Sequence, residues 1–368
     1  MRVFCPDCLK ECEFTIDAWR CSCGGAWEVA DIPVFDELQL NHKEYSIWRY
    51  GKLLGLDIQS PTQQMGVGWT PLVPVELFDR QIFLKLEYLS PSGSFKDRGV
   101  NAMINQLVHM GARTVIEDSS GNAGASVAAH AARFGIDSEV YVPAYASAAK
   151  QKQIRIYGAH VIQINGNRKD VEVAAQAAVG VNKAYASHAY NPAYLAGQMT
   201  AAYEIWEQLD RKAPDWIICP VAQGGSFLGL WFGFRQLFKA GFIQHLPHMV
   251  AAQAENIAPI YHAWIKGLDH IPSIENPMPT VAEGVAISSP IRQKRVLQAL
   301  RETEGMVLAI SEEKILEAQE MITHNGYYIE PTSALAVAGW VELKNEIPQN
   351  ACVVLPLTGS GLKGFPQL

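Results

Sequence analysis

The chain has 368 residues, 49% of them hydrophobic and 18% charged, with a formal net charge of -7. That length and apolar content suit two packed domains, or one large domain with an appendage. The acidic balance excludes a surface built to coat nucleic acid, and no run of like charge is long enough for a polybasic membrane patch; small molecules or copies of the chain are the expected partners.

The N-terminus, MRVFCPDCLKE, has no apolar core of the kind a secretory signal needs, so a cytoplasmic protein is expected. The most apolar stretch runs from Trp216 to Phe234, but Pro220 and the Gln223-Gly224-Gly225-Ser226 break divide it into a strand and a helix, so no membrane span is expected. Five of the seven cysteines fall within the first 23 residues. Cys5, Cys8, Cys21 and Cys23 form a CxxC followed by a CxC, with Gly24 and Gly25 supplying a tight turn. Four thiolates so spaced can close a structural zinc site with no open position for chemistry. Cys12 is a competing ligand, and a ribbon that packs without metal is the alternative.

A linker from Ala30 to His42 leads into YSIWRYGKLLGL and then GVGWTPLVPVELF, where Thr70-Pro71 marks a turn into an extended segment. The strand Gln81 to Leu89 follows, and after it EYLSPSGSFKDRGVN. This stretch places Lys96 where a Gly- and Ser-rich turn gives way to a helical pattern. An amine at a helix N-terminus feels the positive end of the dipole, which disfavours the ammonium and leaves more free base for nucleophilic or Schiff-base chemistry. A solvated lysine paired with Asp97 is the structural alternative.

From there β-branched runs alternate with helix-length segments, at Thr114 to Glu117, Glu139 to Val142, His160 to Ile164, Asp215 to Val221, Met249 to Ala254, Met306 to Ile310 and Cys352 to Leu357. Such alternation predicts βαβ units and parallel sheets, with ligand sites at strand C-terminal ends. Three of those ends carry unusual residues. Asp118-Ser119-Ser120-Gly121-Asn122 opens an Ala-rich helix and can aim free backbone N–H groups at a carboxylate or a phenolate-like oxygen. Ala222-Gln223-Gly224-Gly225-Ser226 offers amides to a phosphate, without the spacing of a Walker A or dinucleotide loop. Thr358, in LTGSG, supplies a neutral hydroxyl able to bond a ring nitrogen.

PSGSFKDRG, SSGNAG, VAQGGS and LTGSG occur in that order, and the order resembles the fold-type II pyridoxal-phosphate enzymes, in particular the threonine synthases. CSCGGAWEVAD, WRYGKLLGL, WTPL and IEPTSALAVAG extend the resemblance through nearly the whole chain. It implies an α/β fold like that of the tryptophan synthase β chain, with two domains based on parallel sheets plus an N-terminal cysteine ribbon. The implied division is a ribbon and linker at 1–42, a large cofactor domain at 43–96 and 208–368, and a small α/β domain at 97–207 inserted in it, with the cofactor in the cleft between the two domains.

Carried over by position, the resemblance implies that Lys96 holds pyridoxal 5'-phosphate as a Schiff base and moves protons. Asn122 would contact the ring hydroxyl, Ala222 to Ser226 the phosphate and Thr358 the ring nitrogen. Ser119, Ser120 and Gly121 would receive the substrate carboxylate, with Lys150, Lys152, Arg155 and Asn191 around the leaving phosphate; a solvated helix face is the alternative for the basic trio. The implied reaction takes O-phosphohomoserine and water to threonine and phosphate, and a homodimer is implied by resemblance alone. Gln223 and Ser226 stand where the family more often has Asn. VAEGVAI and AGQ look more like serine or threonine dehydratases, which keeps a dehydratase or a β-replacement enzyme as the second reading. A non-catalytic cofactor carrier or a ribbon-mediated interaction protein is a remote third.

Overall fold

The computed structural model describes residues 1–146 and 148–364, with the side chains of 148–150 outside that description. The chain divides into two compact units, one made of Met1–Gly68 and Ser90–Gln198 and the other of Trp69–Leu89 and Met199–Leu368. The ribbon and arm therefore group with the lysine segment; of the span 43–96 that the sequence reading placed with the large domain, only Trp69–Leu89 falls in the second unit. The reason is a shared core: Val3, Cys21, Trp27, Ile47 and Trp48 pack in one cluster with Val100, Met103 and Leu107. The Trp48 indole also donates to Asn101 Oδ1 at 2.7 Å.

In the first unit, Arg2–Phe4 pairs antiparallel with both Glu11–Glu13 and Glu28–Val29, giving a three-stranded ribbon too small for a core of its own. The main sheet has four parallel strands, ordered His160–Ile164, Asp137–Pro143, Thr114–Glu117 and Lys183–Tyr185. Three of these were legible as β-branched runs; Lys183–Tyr185 is only three residues long and was not. Helix Lys96–His109 is buried from Asp97 to Leu107. It packs on Asn122–Phe134, whose alanines keep the two backbones close.

The second unit is a six-stranded sheet ordered Met306–Ile310, His248–Ala254, Trp216–Pro220, Val353–Pro356, Gln81–Lys85 and Leu72–Glu76. Its pairs are parallel except the last, which is antiparallel, and Pro74 is tolerated because its strand lies at the sheet edge. Ala334, Leu335, Val337 and Trp340 of helix Pro331–Leu343 fill one face of this sheet with Ile218, Val250 and Leu355. A fully buried ion pair locks the edge of the unit: Lys85 Nζ bonds Glu204 Oε2 at 2.9 Å, the Thr70 carbonyl at 2.7 Å and Gln208 Oε1 at 2.8 Å. With three acceptors the ammonium is satisfied, as a buried charge must be. Among the described residues, no helix is long and apolar enough to cross a membrane.

Candidate active site

Lys96 is the first residue of its helix, half-buried, with Nζ 4.7 Å from the centre of the Phe95 ring. The turn before it is held by its neighbour. The wholly buried Asp97 carboxylate accepts from Ser92 N at 2.7 Å, Ser92 Oγ at 2.5 Å and Ser126 Oγ at 2.5 Å. Gln153 and Gln198 donate to the Ser92 and Phe95 carbonyls at 3.1 and 3.2 Å. Asp97 thus serves the backbone and two hydroxyls, rather than acting as the surface partner for the lysine that the structural alternative required.

The second loop leaves the C-terminal end of strand Thr114–Glu117. Ser119, Ser120, Gly121 and Asn122 are all half-buried, and helix Asn122–Phe134 begins without a side-chain cap and without an acid in its first turn. Its first-turn amides have no intrahelical acceptor, so the loop presents donors; Ser119 Oγ takes the Gly121 N–H at 3.3 Å. Gly124 is required here because a Cβ would stand 1.9 Å from the Ser119 carbonyl oxygen.

Strand Trp216–Pro220 ends in the third loop. Gly224 adopts a φ of 85°, a left-handed conformation that a side chain would strain, and helix Gly225–Lys239 starts from it uncapped. Gln223 turns its carboxamide oxygen away to accept from Ile291 N at 2.9 Å, while Ser226 Oγ lies 3.8 Å from Cys219 Sγ. Backbone amides, with Ala222 leading into them, are what this loop offers an anion. In the same unit Thr358 follows strand Val353–Pro356. Its amide donates to Ser333 Oγ at 2.6 Å, but its own Oγ1 is buried with no hydrogen-bond partner among the described residues. An orphaned hydroxyl costs about 1–3 kcal/mol, so it marks a place for an acceptor from outside the chain.

A family model described as pyridoxal-phosphate dependent enzyme matches residues 63–359. The chain belongs to the pyridoxal-phosphate dependent enzyme family. Its curated relatives include the threonine synthase of Methanocaldococcus jannaschii, 32% identical over 98% of this chain and 92% of that protein. The threonine synthases of Methanosarcina acetivorans (34%, covering 98% and 91%) and of a Synechocystis species (36%, covering 85% and 82%) are also similar. Among solved structures, a threonine deaminase from T.th. superposes with a TM-score of 0.69 at 28% identity, over 81% of this chain and 94% of that one. Maize serine racemase, at 23% identity and a TM-score of 0.68 over 79% and 88%, shares the fold. The fold-type II α/β architecture expected from sequence is thereby shown.

The residues present fit the cofactor this family uses. A lysine at a helix start, uncapped amides for an anion and a buried hydroxyl lacking an acceptor match its aldehyde, phosphate and ring nitrogen in chemical kind. The side chain of Lys150 lies outside the described residues. Lys152 and Arg155 are exposed, and Arg155 bonds Gln151 Oε1 on its own helix at 2.8 Å. Buried Asn191 accepts from Ala193 N at 2.9 Å, the contact of an N-cap for helix Pro192–Gln208.

Sequence reasoning missed a polar cluster at the C-terminal ends of the four-stranded sheet. Glu117 is wholly buried, its Oε1 2.9 Å from His188 Nδ1 and its Oε2 without a hydrogen-bond partner among the described residues. Asp118, nearly as buried, pairs with Arg168 at 2.7 Å. Burial, reinforced by the Asp118 charge, pushes the Glu117 carboxyl well above the usual carboxylate range, and burial together with the Lys96 charge holds His188 well below the usual imidazole range. The available signal was an acid closing an otherwise apolar strand, TVIE.

In the ribbon, the Sγ atoms of Cys5, Cys8, Cys21 and Cys23 all lie within 4.8 Å of one another, with Cys5 to Cys23 and Cys8 to Cys21 at 3.5 Å. Tetrahedral zinc with sulfur ligands at ~2.3 Å requires sulfurs ~3.8 Å apart, so this quartet fits a structural ion. Cys12, the competing ligand, pairs instead with Val3 across the ribbon strands and is not in the group.

Proposed function

We infer that this enzyme is a threonine synthase, converting O-phosphohomoserine and water to threonine and phosphate. The observation that carries the reading is coverage: threonine synthases correspond to 98% of the chain, ribbon and arm included, at 32–34% identity, beyond the 81% that matches the threonine deaminase. Pyridoxal phosphate, when bound, supplies an electron sink that acidifies the C–H bonds near an attached amino acid nitrogen.

In this reading Lys96 Nζ would hold the cofactor through its aldehyde carbon and, when released as free base, would carry protons among the substrate carbons. Asp97 fixes the backbone from which Lys96 extends, so the amine approaches from one direction. The amides of Ser119, Ser120 and Gly121 would receive the substrate carboxylate, Asn122 would meet the ring hydroxyl, and the amides from Ala222 to Ser226 would hold the cofactor phosphate. Thr358 Oγ1 would bond the ring nitrogen. A hydroxyl in that place, where an acid could stand, would leave the nitrogen largely unprotonated, so the residues that orient the substrate would select which bond breaks.

The coarse account of partners is a small amino acid substrate; a homodimer, a cytoplasmic location and zinc on the four cysteines belong to the same proposal. The reading is tested by incubating the holoenzyme with O-phosphohomoserine and assaying phosphate and threonine. Ammonia and a 2-oxo acid from serine or threonine, with no phosphate release, would overturn it.

A further inference from the structure

Glu117 and His188 come from neighbouring parallel strand ends, Thr114–Glu117 and the segment after Lys183–Tyr185, whose register sets Ile116 beside Tyr185. They are 71 residues apart in sequence and in direct contact in the fold. Glu117 has one carboxylate oxygen on the imidazole and no hydrogen-bond partner for the other among the described residues, although a buried carboxylate normally collects donors at both. Among the described residues, the charged and titratable groups facing the pair are Lys96 from its helix, Asp118 and its partner Arg168, Tyr185 from the adjoining strand and Tyr194 from helix Pro192–Gln208. Asp118 and Arg168 offset each other at 2.7 Å. His188 stands edge-on to Tyr194 with ring centres 6.1 Å apart, and the Tyr194 ring lies against Gly99 in the first turn of the helix that Lys96 begins, so the start of that helix adjoins the pair and the Lys96 charge acts on both Glu117 and His188.

We propose that Glu117, oriented by His188, is a positioning residue for Lys96 whose ionisation follows the charge on the lysine nitrogen. When that nitrogen is positive, the ionised carboxylate is favoured; when it is neutral, the proton stays on Glu117 and is shared with His188 Nδ1. The lysine nitrogen must change charge each time it takes up or releases a proton, and a compensating acid keeps the buried end of the site near electrical neutrality through those steps. Coupling of this kind is reciprocal: each group must shift the other's titration by the same free energy. His188, barely exposed at 12% of its side chain, fixes the carboxylate without adding a charge of its own.

The proposal rests on Lys96 being the residue that holds the cofactor, and two measurements separate its failure from failure of that reading. In the holoenzyme, a pH titration of the visible absorbance reports protonation of the lysine nitrogen. Glu117→Gln keeps the shape and the contact with His188 but cannot ionise, so the midpoint should fall by about one unit or more. If Glu117→Gln does not fold, Lys96→Met supplies the reciprocal arm: the infrared carboxylic-acid band of Glu117, identified by carboxyl isotope labelling, should gain intensity at neutral pH when the lysine charge is removed. An unshifted midpoint in Glu117→Gln, or an unchanged acid band in Lys96→Met, overturns the proposal while leaving the cofactor assignment standing. A wild-type visible band that persists in Lys96→Ala overturns the cofactor assignment itself.

Discussion

The Asp97 carboxylate and the Ser126 hydroxyl stand 2.5 Å apart and tie the helix that begins with Lys96 to the helix that begins with Asn122. Two loops expected to meet different parts of one ligand thereby share a rigid reference. Ser126→Ala removes one of three bonds to a buried carboxylate and should cost about 1–3 kcal/mol in urea unfolding. Asp97→Ala removes all three and should cost more, about 3–5 kcal/mol, with cofactor affinity falling in parallel. Equal stabilities for the two variants would show that the carboxylate does not organise the turn.

Lys96→Ala should abolish the visible absorbance of the bound cofactor and reduce turnover by on the order of 10³-fold or more, because neither covalent attachment nor proton transfer survives. Folding should be unaffected within about 0.5 kcal/mol, since the side chain is only half-buried. Far-UV circular dichroism beside the absorbance spectrum distinguishes the two effects.

Thr358→Val is expected to separate stability from function in the opposite sense. Removing a hydroxyl that has no partner among the described residues should leave the apoprotein as stable or up to about 1 kcal/mol more stable. Cofactor affinity should fall about tenfold, the worth of one lost hydrogen bond to the ring nitrogen. Calorimetry on the apoprotein and a cofactor titration read the two quantities independently.

Glu117 and His188 predict opposite slopes of stability with pH. The folded-state pKa of Glu117 is raised, so above the unfolded value of 4.5 the unfolded chain releases a proton the folded chain retains, and stability falls as pH rises towards the folded value. The folded-state pKa of His188 is lowered, so below 6.5 the unfolded chain gains a proton the folded chain refuses, and stability falls as pH drops. Glu117→Gln should therefore gain in melting temperature over wild type as the pH is raised from about 4.5 to about 8. A constant difference across that range would show that Glu117 titrates normally.

Purified protein should hold about one zinc per chain, lost in Cys21→Ser. The ribbon packs on the arm and the lysine helix through Val3, Trp27 and Val100, so chelation should lower the melting temperature of the first unit, beyond merely fraying the ribbon. Elemental analysis and calorimetry with and without a chelator decide this.

The outline of the candidate site was legible because it is local: each loop is a short run of Gly, Ser, Asn or Thr after a β-branched strand, and the strands at Thr114, His160 and Met306 run as their sequences indicate. The Glu117–His188 and Asp118–Arg168 pairs were illegible because each joins residues from different βα units, and contact follows only from the strand order. Asn191 is a different case. Asn before Pro192 at a helix start carries its own signature, that of an N-cap, and its amide oxygen fills that role. Lys152 and Arg155 were readable either as ligands or as a solvated face, and both side chains are exposed.

Helices starting at Glu312 and Arg168 carry Ser311 and Asn167 as side-chain caps, whereas those starting at Asn122 and Gly225 carry none. An engineer scanning this chain for heat resistance would see an open helix end and install Ser or Asp in place of Gly121, whose φ of -101° admits a side chain as that of Gly224 does not. That change is the kind that commonly raises a melting point by a few degrees. Here the installed oxygen would occupy the same amides a bound anion needs, so a thermostability screen blind to turnover would enrich for protein that survives heating and no longer takes up its ligand.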